Sequence, residues 1–542
     1  MKYSREDLRG MINTAFAKVQ ICKPRFLKCE ETYTATEINT SAKDKKKKQS
    51  NSTRSRLYVP LIKTTTHIMM SIFQTSFMSK KCPIDMDRVG EREGDRDIRN
   101  AVMSVVKQYW EQSSHRVGLS KAVLSAISLP LGTAALWWDS VEDMPNTRFV
   151  RITDIAFDPD ATSINDIEYV CYRSKISMRD VRANFDKGLY KLTKGESDFG
   201  EHLKNNERAI KDEIYTKGYS KERGTFWELT TFINNKVVRE NVGFKMLPFH
   251  SGYLIEKLPS ISLDIDDEDE MESQIYGLAV PELLYELQKE YNIKRNQKID
   301  IVEKMIDPTR TVDASAGAVS LADIKNGEKF IRVRTDGRKV SDVMSVDYVP
   351  SPYPLSEEIE LIRREYETTS GVNSIMLGQT SPSDRRAMGA LQTVNASSSM
   401  RIESMMQTLV DTFLNGYAQH FVYLVYNNAP DEVFAKITEN PEILNIIGPR
   451  GSRKPIEFDV RVNFGTIIGD EVKLSKLTQL LGILMQSGVT NVVVVEKLLQ
   501  DILTLIQGEN AALEEIELPK QEPPPPPSKE EVDRESMVNG GL

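Results

Sequence analysis

Residues 371–428 read GVNSIMLGQTSPSDRRAMGALQTVNASSSMRIESMMQTLVDTFLNGYAQHFVYLVYNN. The stretch opens as a polar loop holding Gly378, Ser381, Pro382 and Ser383, then becomes a long helical pattern. Ser383 or Asp384 can cap that helix by accepting the free amide hydrogens of its first turn. From Ile402 onward Met405, Met406, Leu409, Val410, Phe413, Tyr417, Phe421 and Leu424 form one stripe at helix spacing, with no strand alternation. The first half is apolar only along a narrow line through Met388, Leu391 and Val394. Asn395, Ala396 and the serines at 397–399 predict a bend there, because serines compete for backbone hydrogen bonds. A loop carrying Asp384, Arg385 and Arg386, ahead of a helix too long for a compact core, reads as a part reaching out of its own domain. One arm of a helical bundle with a solvated loop is the competing reading.

The 542 residues leave room for three or four domains, and a chain 40% hydrophobic and 28% charged has the composition of a soluble globular protein. No apolar run approaches the ~18 residues of a spanning helix, and the amphipathic, acid-containing start has no signal-peptide core. Cys22, Cys29, Cys82 and Cys171 show neither CxxC nor His/Cys ligand spacing, so structural zinc and a disulfide framework are not expected. That usage fits a reducing compartment, most simply a cytoplasm. The net charge of −8 argues against a surface built to grip nucleic acid tightly. The lysine run at 43–48 and the acidic run DIDDEDEME at 264–272 read first as solvated loops.

In chain order, residues 1–40 predict one helix followed by an irregular or second helical piece, and 41–55 a polar, lysine-rich arm. After Pro60, Leu61, Thr64, Thr65, Ile68, Met69, Ile72 and Phe73 mark a helical face. Further helices follow through VMSVVKQYWEQ and 118–131. At Gly132 the period shortens: TAALWWD, TRFVRITDIAFDPDA and IEYVCYRSKIS read as strands, and FWELTTFINN, KVVRENVGFK and SGYLIEKLPSISLD continue them. The expected class is therefore α+β, helices first and then a mostly antiparallel sheet. Residues 280–306 return to a helix whose ends are apolar (Leu284, Leu287, Tyr291; Ile299, Val302, Ile306) and whose middle, 292–298, is polar all round. A small α/β insertion with a short helix at 321–325, strands FIRVRT and VMSVDYVP and a DGR turn precedes a second helix near 355–370. One more strand at 455–467 is placed to rejoin the earlier sheet, and two helices fill 470–506. Five prolines at 523–527 cannot bury a core.

The chain resembles the portal proteins of tailed bacteriophages, the head–tail connector rings, and is most similar to those of short-tailed phages. The resemblance rests on the joint order of RSRLYVPLIKTTTHIM, GTAALWWD, ITDIAFDPDA with YVCYRSKIS, the helix–insertion–helix at 280–370, GVNSIMLGQ, and Arg386, Ala390, Leu391 and Gln392. It implies a ring, usually of twelve subunits. It also implies a wing at 1–279, stem helices at 280–306 and 353–372 around a clip at 307–352, and a tunnel loop at 373–385. The long helix and a returning wing strand would fill 386–469, crown helices 470–519 and a proline-rich tail 520–542. The implied role is a channel at one capsid vertex of the virion, assembled in the host cytoplasm, through which double-stranded DNA is packaged and ejected. Implied partners are further copies of the chain, DNA bound without sequence preference, the terminase motor, the tail adaptor and the major capsid protein, with no membrane.

Two other classes compete. A packaging ATPase needs a G-x-x-x-x-G-K-[ST] loop, which the sequence lacks. A nuclease needs convergent carboxylates, whereas Asp264, Asp266, Asp267, Glu268, Asp269 and Glu270 are clustered along one run. His67, His115, His202, His250 and His420 are scattered, and no serine or cysteine sits in a nucleophile elbow. The reading is therefore non-enzymatic, with no catalytic residue, metal or cofactor. A shell-forming capsid or scaffold protein is the third class, and it has no need of a loop aimed into a bore.

Twelve copies at −8 carry about a hundred negative charges, so DNA would slide through a largely acidic bore touched by sparse cations. Gln379, Thr380, Ser381, Ser383, Asp384, Arg385 and Arg386 of the tunnel loop, and Lys294, Arg295 and Lys298 of the stem, are the candidate contacts. Ion pairing between subunits with Glu357, Glu358, Glu360 or Glu365 is the alternative use of those cations.

Overall fold

The computed structural model of the chain describes residues 3–34, 57–78, 82–87, 95–113, 115–191, 207–221, 224–257, 275–306, 310–312, 344–346, 351–372, 400–438, 446–453 and 458–462, with Gly337 and Lys339. By its contacts the chain divides into two units, Met1–Thr466 and Ile467–Leu542, and every described residue belongs to the first. The lysine-rich arm, the acidic run, the insertion helix at 321–325, strand FIRVRT, the tunnel loop, the bend at 395–399, His202, the crown helices and the tail lie outside the described residues.

Helices and sheets are both present, and the described strand pairings are antiparallel, which places the first unit in the α+β class. Helix α1 spans Arg5–Thr34 without a break, Pro24 included, in place of the expected two pieces. Leu8, Ile12, Ala15, Phe16, Val19, Cys22 and Phe26 recur at helix spacing and bury one face. That burial offsets the amide bond lost at Pro24. Helix α2, Leu61–Phe73, runs into a π-turn at Gln74–Met78. It buries Ile62, Thr65, Thr66, Met69 and Phe73, while Thr64 is exposed, so its inner face is rotated by about a residue from the expected one. Strand β1 (Ile84–Asp87) precedes helices α3 (Asp95–Gln112) and α4 (His115–Ser128).

Strands β2 (Gly132–Asp139), β3 (Met144–Val150) and β9 (Phe249–Gly252) form one sheet in the order β3-β2-β9. The run TRFVRITDIAF is not one strand. A turn in which the Asp154 amide donates to the Arg151 carbonyl (2.9 Å) ends β3 and starts β4 (Ile155–Phe157) in a second sheet. That sheet has five strands: β4, β5 (Tyr169–Ser177), β6 (Arg208–Ser220), β7 (Gly224–Ile233) and β8 (Lys236–Phe244), in sequence order. Successive residues alternate between its faces. Phe232 and Val237 join the core under α1, whereas Ile233 and Val238 pack with Met178 and Val181 of helix α5 (Met178–Asp186).

The stripe beginning at Ile402 is a helix. Residues 400–428 are helical throughout, through a π-turn at Val410–Leu414 and then α8 (Asn415–Asn428). Ile402, Met406, Leu409, Val410, Phe413, Tyr417 and Phe421 are buried, and Met405 and Leu424 pack at the margin of the same core. The π-turn inserts one residue into the helical repeat, so Leu414, Ala418, Val422 and Val425 are buried beyond it as well. Gly252 of β9 lies against the turn: a Cβ there would stand 2.5 Å from Cβ of Phe413. The strand expected to rejoin the earlier sheet, β12 (Asp459–Val462), instead pairs with β1 as a separate two-stranded ribbon. The four-residue β1 had supplied no strand signal for it to answer.

Candidate functional site

Helix α6, Val280–Ile306, begins at a fixed joint. Glu282 accepts from the Ala279 amide (2.9 Å) and pairs with Arg25 of α1, whose guanidinium also donates to the Gly277 carbonyl (2.7 Å). A carboxylate in the first turn of a helix meets the free amides there. Burial beside Glu282 pushes the Cys29 thiol up to about 12.

Beyond this joint three amides recur four residues apart, Gln288, Asn292 and Asn296, and the helix period brings them onto one line. The chain entering α2 lies along that line and is held by it. The Leu57 amide donates to Asn296 Oδ1 (2.7 Å), and Asn296 Nδ2 donates back to the Leu57 carbonyl (3.0 Å). The Val59 amide donates to Asn292 Oδ1 (2.9 Å), and the Ile62 amide to Gln288 Oε1 (3.1 Å). Gln288 Nε2 completes the ladder by donating to the Val59 carbonyl (2.6 Å). The polar middle of α6 thus has a purpose inside one chain: part of its circumference pairs with the backbone of 57–62, including the Ile62 amide, which would otherwise be buried without a partner.

Helix α7, Tyr353–Ser370, packs beside α6 and ends at Gly371, whose φ of 73° is a left-handed C-cap. Ile359, Ile362 and Tyr366 are its buried line, and the Tyr366 hydroxyl meets Thr65 Oγ1 at 3.0 Å. Between the helices, β10 (Arg310–Val312) and β11 (Met344–Val346) pair antiparallel and close the neck of the insertion. Lys294 and Glu358 form an ion pair of 2.7 Å between the two helices, and the Glu358 carboxylate raises the Lys294 pKa by hydrogen bond and charge. Arg295 and Lys298 are half-buried, while Glu357 and Glu360 are exposed. Lys294 thus has a partner in its own chain. Apolar side chains on the pair stay uncovered: Ile293, Leu361, Met305, Tyr353 and Ile306, the last 80% exposed.

Gln379, Thr380, Ser381, Ser383, Asp384, Arg385 and Arg386 lie outside the described residues. Among the described residues no group of three or more His, Cys, Asp or Glu side chains is placed to hold a metal ion, and no helix is long and apolar enough to cross a membrane. Two arrangements escaped the sequence reading. The amide ladder left a trace in its four-residue spacing. His250 and His420, read as scattered, are in contact, and no local signal marks a pair 170 positions apart. No protein-family model matches the chain, and a comparison with curated proteins gave no match.

Proposed function

We propose that the chain is the subunit of a portal ring, a channel at one capsid vertex through which double-stranded DNA enters and leaves a phage head. The observation that carries the reading is the helix pair α6–α7. It brackets an insertion closed at its neck by β10–β11 and leaves Ile293, Leu361, Met305 and Ile306 uncovered in a single chain. Apolar side chains exposed along two long helices favour burial against another copy, and a heterologous contact repeated by rotation closes a ring. In this reading α6 and α7 are the stem, 307–352 the clip that meets the packaging motor and the tail adaptor, and 373–385 the tunnel loop. Arg385 and Arg386 touch phosphate and not bases, because a portal passes any sequence. The subunit does no chemistry of its own.

Sedimentation of the purified chain tests the proposal. The expected result is one closed species near twelve times the mass of a single chain, lost in Met305→Glu/Ile306→Glu. A monomer at every concentration, or an open series of sizes as a shell protein would give, overturns it.

A further inference from the structure

Two histidines meet the helical run 400–428 at consecutive residues of α8, the first of which is itself a histidine. His420 is 4% exposed, and its Nδ1 lies 2.8 Å from Nε2 of His250 on β9. The next residue, Phe421, packs against the ring of His115 at the start of α4, with centroids 5.7 Å apart. His115 is fully buried, its Nδ1 is 2.5 Å from Ser113 Oγ, and its Nε2 has no hydrogen-bond partner among the described residues. Trp110 of α3 covers the same ring at 3.9 Å.

What surrounds these rings cannot neutralise a proton. From α8 the neighbours are Tyr417, 5.9 Å from His250, and Tyr423, 6.4 Å from His420. The Tyr417 hydroxyl is in turn bonded to that of Thr147 on β3 at 2.7 Å. Lys245 stands over the Tyr423 ring and Arg116 acts on His115, both of them cations. Among the described residues no carboxylate acts on any of the three. An imidazolium at His115 or His420 would give up its hydration for no counter-charge, and one at the partly buried His250 would face His420. Burial accordingly holds His420 down to about 4 and His115 to about 3, and it puts His250 well below the ordinary range with added repulsion from His420. When neutral, His250 and His420 share one proton in an N–H···N bond. Doubly protonated, they would set two N–H donors face to face.

We propose that His115, His250 and His420 form a proton-operated latch holding the C-terminal half of the long helix: acid releases α8 from β9 while the five-stranded sheet stays folded. β9 is the element that can let go. It is four residues long, its ladder partner is the first half of β2, and it meets the long helix at the π-turn, Tyr417 and His420. The π-turn also supplies a hinge, since it already departs from α-helical hydrogen bonding. The latch lies within one chain and holds whether or not that chain closes into a ring.

Hydrogen–deuterium exchange of the full-length protein, corrected for the intrinsic rate at each pH, reads it directly. Between pH 7.5 and 4.5, protection of 415–428 and 249–252 is expected to fall at least about tenfold, and that of β5–β7 less than about twofold. In His250→Gln/His420→Asn the amide groups take the places of Nε2 and Nδ1 without titrating, so the loss should shrink to the part that His115 contributes. Unchanged protection in the wild type, an equal loss everywhere, or the same loss in the variant overturns the proposal. Should the variant not fold, slow deuteration of the imidazole Cε1 in the wild type decides. His115, His250 and His420 are expected to remain neutral at pH 5.5, and titration of His250 or His420 near 6.5 overturns it.

Discussion

Replacing Gln288, Asn292 and Asn296 one at a time by alanine is expected to destabilise the chain in that order, because the ladder they form runs from core to solvent. Gln288 is 2% exposed, and its loss orphans the buried Ile62 amide, while the Val59 carbonyl keeps its bond from the Leu61 amide at 3.0 Å. At roughly 1–3 kcal/mol for an unsatisfied group, Gln288→Ala should cost about 2 kcal/mol. Asn292 is 8% exposed and serves the Val59 amide, while its own Nδ2 is buried with no partner among the described residues. Removing it orphans one group and relieves another, a net cost of about 1 kcal/mol. Asn296 makes two bonds to Leu57, both in contact with solvent. Water replaces them, and the expected cost is about 0.5 kcal/mol or less. Denaturant midpoints give the three values, and hydrogen exchange at 57–62 shows whether the segment leaves α6. Equal costs, or Asn296 as the largest, would mean that the ladder does not hold the segment.

Three further outcomes follow from the same structure. Arg453, its side chain 1% exposed, donates to the Tyr426 and Ala429 carbonyls at the end of α8 and to Asp431 at 2.8 Å. Arg453→Ala should cost about 3 kcal/mol, seen as a lowered Tm, and Arg453→Lys should recover only part of it, because an ammonium cannot reproduce the fork. A double-mutant cycle on Lys294 and Glu358 should give a coupling below about 1 kcal/mol that shrinks with salt, and a salt-independent value of several kcal/mol would contradict the half-exposed geometry. His420 is held at about 4 against 6.5 in the unfolded chain, so the unfolded state binds the proton first as pH falls. Its contribution is whole above about 6.5 and drains away toward 4, about 3 kcal/mol at 1.36 kcal/mol per pH unit, which urea midpoints at pH 7.5, 5.5 and 4.5 measure.

The stripe from Ile402 to Leu424 was legible because a buried helix face repeats every three to four residues, whatever it packs against. Its π-turn was not legible, since one inserted residue leaves the composition unchanged. Strand β6 escaped for a different reason. RAIKDEIYTKGYS carries Lys211, Asp212 and Glu213 in its middle, which lowers its strand signal. In the sheet Asp212 takes both prongs of Arg173, at 2.7 and 3.0 Å, and Lys211 pairs with Glu213 at 2.8 Å. A charge in a sheet becomes intelligible only once its partner is known. The same holds for α6, whose cations at 294–298 read as DNA contacts or ion pairs between subunits and whose polar middle is in part a clamp for Leu57, Val59 and Ile62. Ribbon β1–β12 joins residues far apart in the chain, so nothing in either short run could announce the other.

An averaged top view of the purified chain by electron microscopy tests the central claim most directly. The account predicts closed rings of one rotational symmetry around a hole wide enough for duplex DNA. Sheets, curved shells or isolated subunits would contradict it.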